Sequence, residues 1–158
     1  MNQDSNVSAK MAVAMTKVAV ATLIGRPLDW AVAKCERMDT AVTPSLSGGW
    51  NSVADGFRPS TDPAWGHPII DREGIATRKH KKSGVWYALA LDDAGDNQQM
   101  DWVEFTARGG QRYGAASYQV HKRQQRFEGP TSLVAAMRCH VARNLGAEID
   151  VPSVLLPH

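Results

Sequence analysis

The stretch Arg58–Glu73 holds Arg58, Ser60, Thr61, Asp62, Trp65, His67, Arg72 and Glu73. Together they offer hydrogen-bond donors and acceptors, a stacking ring and cations. That inventory suits a polar planar ligand such as a nucleotide or base. It equally suits a loop stapled to a sheet by Trp65, with Asp62 as a cap. Catalysis is harder to build from the same residues. Ser60, Asp62 and His67 are the residue types of a triad, but all three fall in one loop-like stretch, so no catalytic residue is assigned. Asp71 and Glu73 bracket Arg72, which fits a structural salt bridge at least as well as an acid–base pair. A nucleotide hydrolase using Asp62 and His67 is the minor enzymatic alternative.

Other signatures point away from cofactors. The glycines of Gly48-Gly49-Trp50 and of 108–114 (RGGQRYG) lack the spacing and the strand-to-helix setting of a phosphate-binding loop. Cys35 and Cys139 both sit in helical patterns and read as small apolar core residues, with no further Cys or His at ligand spacing. Neither a metal nor a cofactor is expected.

The element that must position these groups is a helix between Gly129 and Gly146. Pro130 suits its first turn, and Thr131 and Ser132 can cap it. Leu133, Met137, Val141 and Leu145 recur every four residues on one face, Ala135, Cys139 and Ala142 lie opposite, and Gly146 stops it. Such a helix is covered on both sides. His140 near the apolar face reads as a hydrogen-bonded core histidine. The helix start near Thr131 presents free N–H groups to an anion, and Arg138 or Arg72 would add charge-assisted bonds to a phosphate. Trp65 or Trp30 would stack a base.

Around this helix the chain reads as α+β: a small, mostly antiparallel sheet packed on two helices, with long ordered loops. A second helix, Leu28–Met38, buries Leu28, Ala31, Val32, Cys35 and Met38. It leaves Trp30 on the other flank, above Lys34 and near Arg37, where it could stack a planar ligand. Strands are expected at Thr16–Leu23, Ile75–Thr77, Val85–Leu91, Trp102–Ala107, Ala116–Val120 and Glu148–Val151. Val85–Leu91 and Trp102–Ala107 could form a hairpin across the acidic loop Asp92–Asp101. Asp39–His80 is dense in Gly, Pro, Ser and Thr and reads as a long, packed loop. Residues 1–14 are expected to be a flexible extension and 15–158 a single domain.

Composition narrows the partners. The net charge of +2 and pI near 8.6 over 158 residues are too weak a bias to argue for nucleic acid by themselves. The basic runs Arg78–Lys82 and His121–Arg126 are its local sources, and Arg78–Lys82 reads first as a solvated turn. Met11–Gly25 is the most apolar N-terminal stretch but is too short to span a bilayer. The expectation is no membrane and a cytoplasmic location.

Three blocks carry a family likeness: 26–36 (RPLDWAVAKCE), 59–75 (PSTDPAWGHPIIDREGI) and 129–152 (GPTSLVAAMRCHVARNLGAEIDVP). In this order they resemble the NinX-like proteins, small proteins of unassigned function encoded by bacteriophages and prophages. The chain departs from that family by carrying Met1–Ala14 ahead of the usual start, by a longer, more basic Val85–Phe127, and by Pro63-Ala64 and His67 in the middle block. The resemblance implies a phage product acting in a bacterial cytoplasm, and no reaction. The first expectation is a non-enzymatic binding protein that sequesters a small nucleotide-like signalling molecule and so counters host antiviral defence, in a pocket shared across a homo-oligomer (dimer). The alternatives are an inhibitor of a host protein acting through Arg108–Arg126, and a nucleic-acid-binding accessory protein.

Overall fold

A computed structural model describes residues 13–90, 100–106, 112–118 and 126–157, the second and third of these as backbone only. At its centre is α3, Ser132–Leu145. Thr131 caps it, its Oγ1 accepting the Val134 N–H at 3.2 Å, and Gly146 ends it at φ 99°, a conformation that disfavours a side chain. Leu133–Met137 and Cys139–Val141 are all buried, so this helix is enclosed on both sides as its pattern predicts. The strands of one sheet pack on one side of it and α1, Arg26–Cys35, on the other.

The expected loop Asp39–His80 contains a helix. In α2, Pro63–Arg72, Asp62 is the N-cap, its Oδ1 accepting the Ala64 N–H at 2.9 Å, and Pro63 opens the first turn. The reading as loop gave Pro63, Gly66 and Pro68 their usual weight as breakers, yet the helix contains all three. Pro63 sits where no N–H is needed. Gly66 provides clearance, since a Cβ there would lie 2.5 Å from the Pro59 carbonyl oxygen and 2.6 Å from Leu133 Cδ2. Helix α2 therefore lies against both the preceding loop and α3 because residue 66 has no side chain.

The α+β class holds; among the described residues there are three helices rather than two and four small antiparallel sheets rather than one. β1 (Met15–Ala19) pairs with β9 (Glu148–Pro152), in register from Met15 opposite Pro152 to Ala19 opposite Glu148. β1 stops short of the expected Leu23 because Val20–Thr22 forms a 3-10 turn, with the Val20 N–H donated to the Ala147 carbonyl. β2 (Val42–Pro44) pairs with β3 (Trp50–Ser52). β4 (Ile75–Lys79), β5 (Trp86–Ala90) and β8 (Phe127–Gly129) form a sheet in that order, and β6 (Met100–Thr106) pairs with β7 (Arg112–Tyr118). The hairpin foreseen between β5 and β6 is thus replaced by two shorter ones, β4–β5 and β6–β7. Short loops close at lower entropic cost, which favours both of these hairpins, while the other edge of β5 is taken by β8. In α1 the chain leaves helical geometry after Cys35, with Arg37 at φ 57°, so Met38 is exposed rather than on the buried face.

Candidate functional site

The N-terminus of α1 borders a cleft of about 400 Å³. Gly25, at φ 59°, turns the chain into the helix. Arg26 then reaches across to Asp55, Nε to Oδ1 at 2.8 Å and Nη2 to Oδ2 at 2.9 Å, and donates to the Trp50 carbonyl at 2.6 Å. Asp55 is held in turn by a capping box: its Oδ2 accepts the Ser52 N–H at 2.8 Å while Ser52 Oγ accepts the Ala54 N–H. Burial would raise the Asp55 carboxyl, but the bonds from Arg26 and Ser52 outweigh it and hold the group below its ordinary value.

One turn further on, Asp29 is 7% exposed and lines the same cleft. Its Oδ1 accepts the Ser60 N–H at 2.8 Å. Burial pushes this carboxyl above its ordinary 3.8, and Ser60 and the charge of Arg58 offset only part of that. Ser60 itself is sealed; its hydroxyl lies beside Asp29 and helps to hold the charge, but has no hydrogen bond of good geometry. Trp30, Phe57, Arg58, Thr61 and Leu155 complete the walls.

The predicted site residues separate into four groups. Trp30, Arg58 and Thr61 meet at the cleft, and Ser60 stands behind it through Asp29. Trp65, 48% exposed, packs edge-on against Phe57 with ring centres 5.3 Å apart. Asp62 is used as the α2 cap, and His67 is exposed on that helix. Arg72 and Glu73 lie at the far end of α2, about 15 Å along its axis, so Arg58–Glu73 does not converge on one ligand. Thr131 is used as the α3 cap. Arg138 donates to the Leu23 carbonyl at 2.8 Å and the Glu128 carbonyl at 2.6 Å, tying the helix to its neighbours. Trp30 is 5% exposed, not on an open flank: its Nε1 donates to the Thr40 carbonyl at 2.9 Å while Lys34 Nζ sits 5.4 Å from its ring centre. The segment after Cys35 folds back over that ring, which helical periodicity alone does not register.

Sequence reasoning missed Arg26, Asp29, Asp55 and Phe57. An acid in the first turn after Arg26-Pro27 was a visible signal, since negative charge is favoured there. The partners of Arg26 and Asp29, 29 and 31 residues away, were not visible.

A second polar cluster lies at the other end of α1. Glu36 takes two bonds from Arg72, at 2.9 and 2.6 Å, and Arg72 Nε binds Glu73 at 2.8 Å. Buried His140 contacts Glu36 Oε1 through Nε2 at 2.9 Å, and Asn144 Nδ2 lies 3.3 Å from its Nδ1. Asn144 donating to Nδ1 assigns the proton to Nε2, which then donates to Glu36. Burial lowers the His140 pKa below 6.5 against the pull of Glu36, so this is the hydrogen-bonded core histidine expected. Beside it, burial and then the charge of Glu36 push the Cys35 thiol up to about 12, which makes it inert.

The cleft and most of its frame coincide with a known family. The family model described as Bacteriophage P22, NinX matches residues 19–108. The chain belongs to the NinX family. No curated protein matches it. The NinX span contains the whole lining of the cleft except Leu155, and two of the three resembling blocks; the third, with α3, lies beyond it. Among the described residues no helix is long and apolar enough to cross a membrane, and no cluster of His, Cys, Asp and Glu has the arrangement of a metal site. The expected extension before Val13, the acidic loop up to Gln99, and all of Arg108–Arg126 but Arg126 and the backbone of β7 lie outside the described residues.

Proposed function

We propose that this NinX-family phage protein acts by binding rather than by turnover, and that its ligand is a small polar molecule of nucleotide type seated in the α1 cleft. In the bacterial cytoplasm such a protein would sequester a host signalling nucleotide and blunt an antiviral response. The observation that carries this reading is Arg58: an exposed cation without a salt bridge among the described residues, on the wall of a cleft that also offers aromatic rings and the Thr61 hydroxyl. A guanidinium there suits a phosphate, and Phe57 and Trp30 supply apolar surface for a base. The carboxylates of the cleft are engaged in holding backbone and Arg26, a positioning role rather than that of a free acid or base.

Native mass spectrometry of the protein purified from a bacterial host, before and after denaturation, tests this together with thermal shift against a nucleotide panel. Binding is expected, and Arg58→Ala should weaken it by about tenfold or more, the loss of one charge-assisted bond. A panel with no shift and a clean apo mass would sink the reading.

A further inference from the structure

The sheet β4–β5–β8 has one face against α3 and another that the cleft does not use. Residues opposite one another in an antiparallel pair share a face, and the period is two. Ile75, Ala88 and Phe127 are buried and mark the inner face. Arg78 is in register with Tyr87, and Tyr87 with Glu128, so these three lie in a row on the outer face. Arg126, two residues before Glu128, shares that face, with its guanidinium carbon 5.5 Å from the Tyr87 ring centre. Arg78 and Arg126 are exposed. The β4–β5 turn then adds Lys81 and Lys82, also exposed, at the rim of the same hairpin. None of Arg78, Lys81, Lys82 and Arg126 has a salt bridge among the described residues. Glu128 is the one acid the face carries there.

We infer that this outer face binds single-stranded nucleic acid. The occupant follows from charge and shape together. Four cations with no salt bridge among the described residues, spread roughly 10 Å across three strands, match a chain of phosphates. The Tyr87–Arg126 pair presents an aromatic ring and a planar guanidinium, the surfaces on which unpaired bases stack. A duplex keeps its bases stacked on one another and gives Tyr87 nothing to hold. Contacts to phosphates and base faces predict little sequence preference.

The test is fluorescence anisotropy with a labelled single-stranded oligothymidylate of about fifteen nucleotides, within the usual site size of such surfaces. Binding is expected to weaken with salt with a log–log slope of about 3, the value for four phosphate contacts on a single strand. Tyr87→Ala should weaken it about tenfold and Tyr87→Phe hardly at all, since the ring is what stacks. Lys81→Glu with Lys82→Glu, both on an exposed turn and harmless to folding, should weaken it by a similar factor and lower the slope. Arg58→Ala should leave it unchanged. No binding, equal binding of duplex, or unchanged affinity in the lysine double variant would each overturn the inference, and the last stands even if Tyr87→Ala fails to fold.

Discussion

Helix α1 carries the same chemistry at its two ends and uses it differently. At the N-terminal end, Arg26 and Asp55 form a half-exposed bidentate pair beside a buried, incompletely compensated Asp29, and a cleft opens over them. At the C-terminal end, Glu36, Arg72, Glu73, His140 and Asn144 bond one another and join α1, α2 and α3. Carboxylates and arginines alone thus do not distinguish a site from a scaffold. What distinguishes them is whether the bonding capacity is used up within the fold. Glu36 is bonded by Arg72 and His140, and its pKa falls despite burial; Asp29 keeps a raised pKa because its surroundings do not compensate it fully. Buried polar groups that stay short of partners are the expected mark of a functional surface, and they reduce stability.

Several substitutions would break or sharpen this contrast. The largest effect is expected where α2 passes between the two ends. Gly66→Ala places a methyl against the Pro59 backbone and should lower stability by about 3 kcal/mol in denaturant unfolding, since backbone cannot rotate aside as a side chain can. Glu36→Ala comes next. It leaves the buried His140 N–H without an acceptor and should lower stability by about 2–3 kcal/mol. Asp55→Ala removes an exposed pair and one turn cap and should lower stability by only about 1 kcal/mol. If Asp55→Ala proved as damaging as Glu36→Ala, the division into open and closed ends would fail.

Acid should move the two ends in opposite directions. His140 has its pKa depressed by burial, so its contribution is complete above the ordinary 6.5 and is lost as pH falls below it, because the unfolded chain takes the proton first. Glu36, also depressed, adds a further loss below 4.5. Asp29 is raised, so the folded state takes the proton first, and acidification toward 3.8 relieves its burial. Asp29→Asn should therefore raise the Tm by about 2–4 °C near neutral pH, equivalent to ~1 kcal/mol in a chain of this size, and give no gain near pH 3.5. A thermal melt series of the variant against the parent checks both arms; a Tm that drops at neutral pH would show that Asp29 is well compensated after all. Of the same order is Trp30→Phe, which deletes the bond to Thr40 and should lower stability by about 1 kcal/mol.

Much of the scaffold was legible in the residues. The spacing of Leu133, Met137 and Val141, with Thr131 and Gly146 at the ends, located α3 because amphipathic period and caps are local properties. Helix α2 was hidden by the opposite circumstance. Its Asp62-Pro63 start is a sound local signal, but Pro68 and Gly66 argue against a helix, and the glycine makes sense only once Pro59 and Leu133 are known to press on it. The cleft was half visible: Arg58 and Thr61 belonged to a conspicuous polar stretch, whereas Arg26, Asp29 and Asp55 acquire their meaning from partners about thirty residues away. The tie that Arg138 makes was hidden for the same reason, since its carbonyl partners lie on other elements.

The pairing of β1 with β9 also bears on the order in which the molecule assembles. Thr16 and Ser153, whose hydroxyls lie 2.6 Å apart, are separated by 137 residues. Closing a loop that long costs roughly 4 kcal/mol of chain entropy before any contact compensates. The five-residue seam is too short to repay that early, so it should zip last, after α3 and the β4–β5 hairpin have shortened the path between its ends. In native-state hydrogen exchange the amides of β1 and β9 should open before those of α3, which stay protected to the global limit.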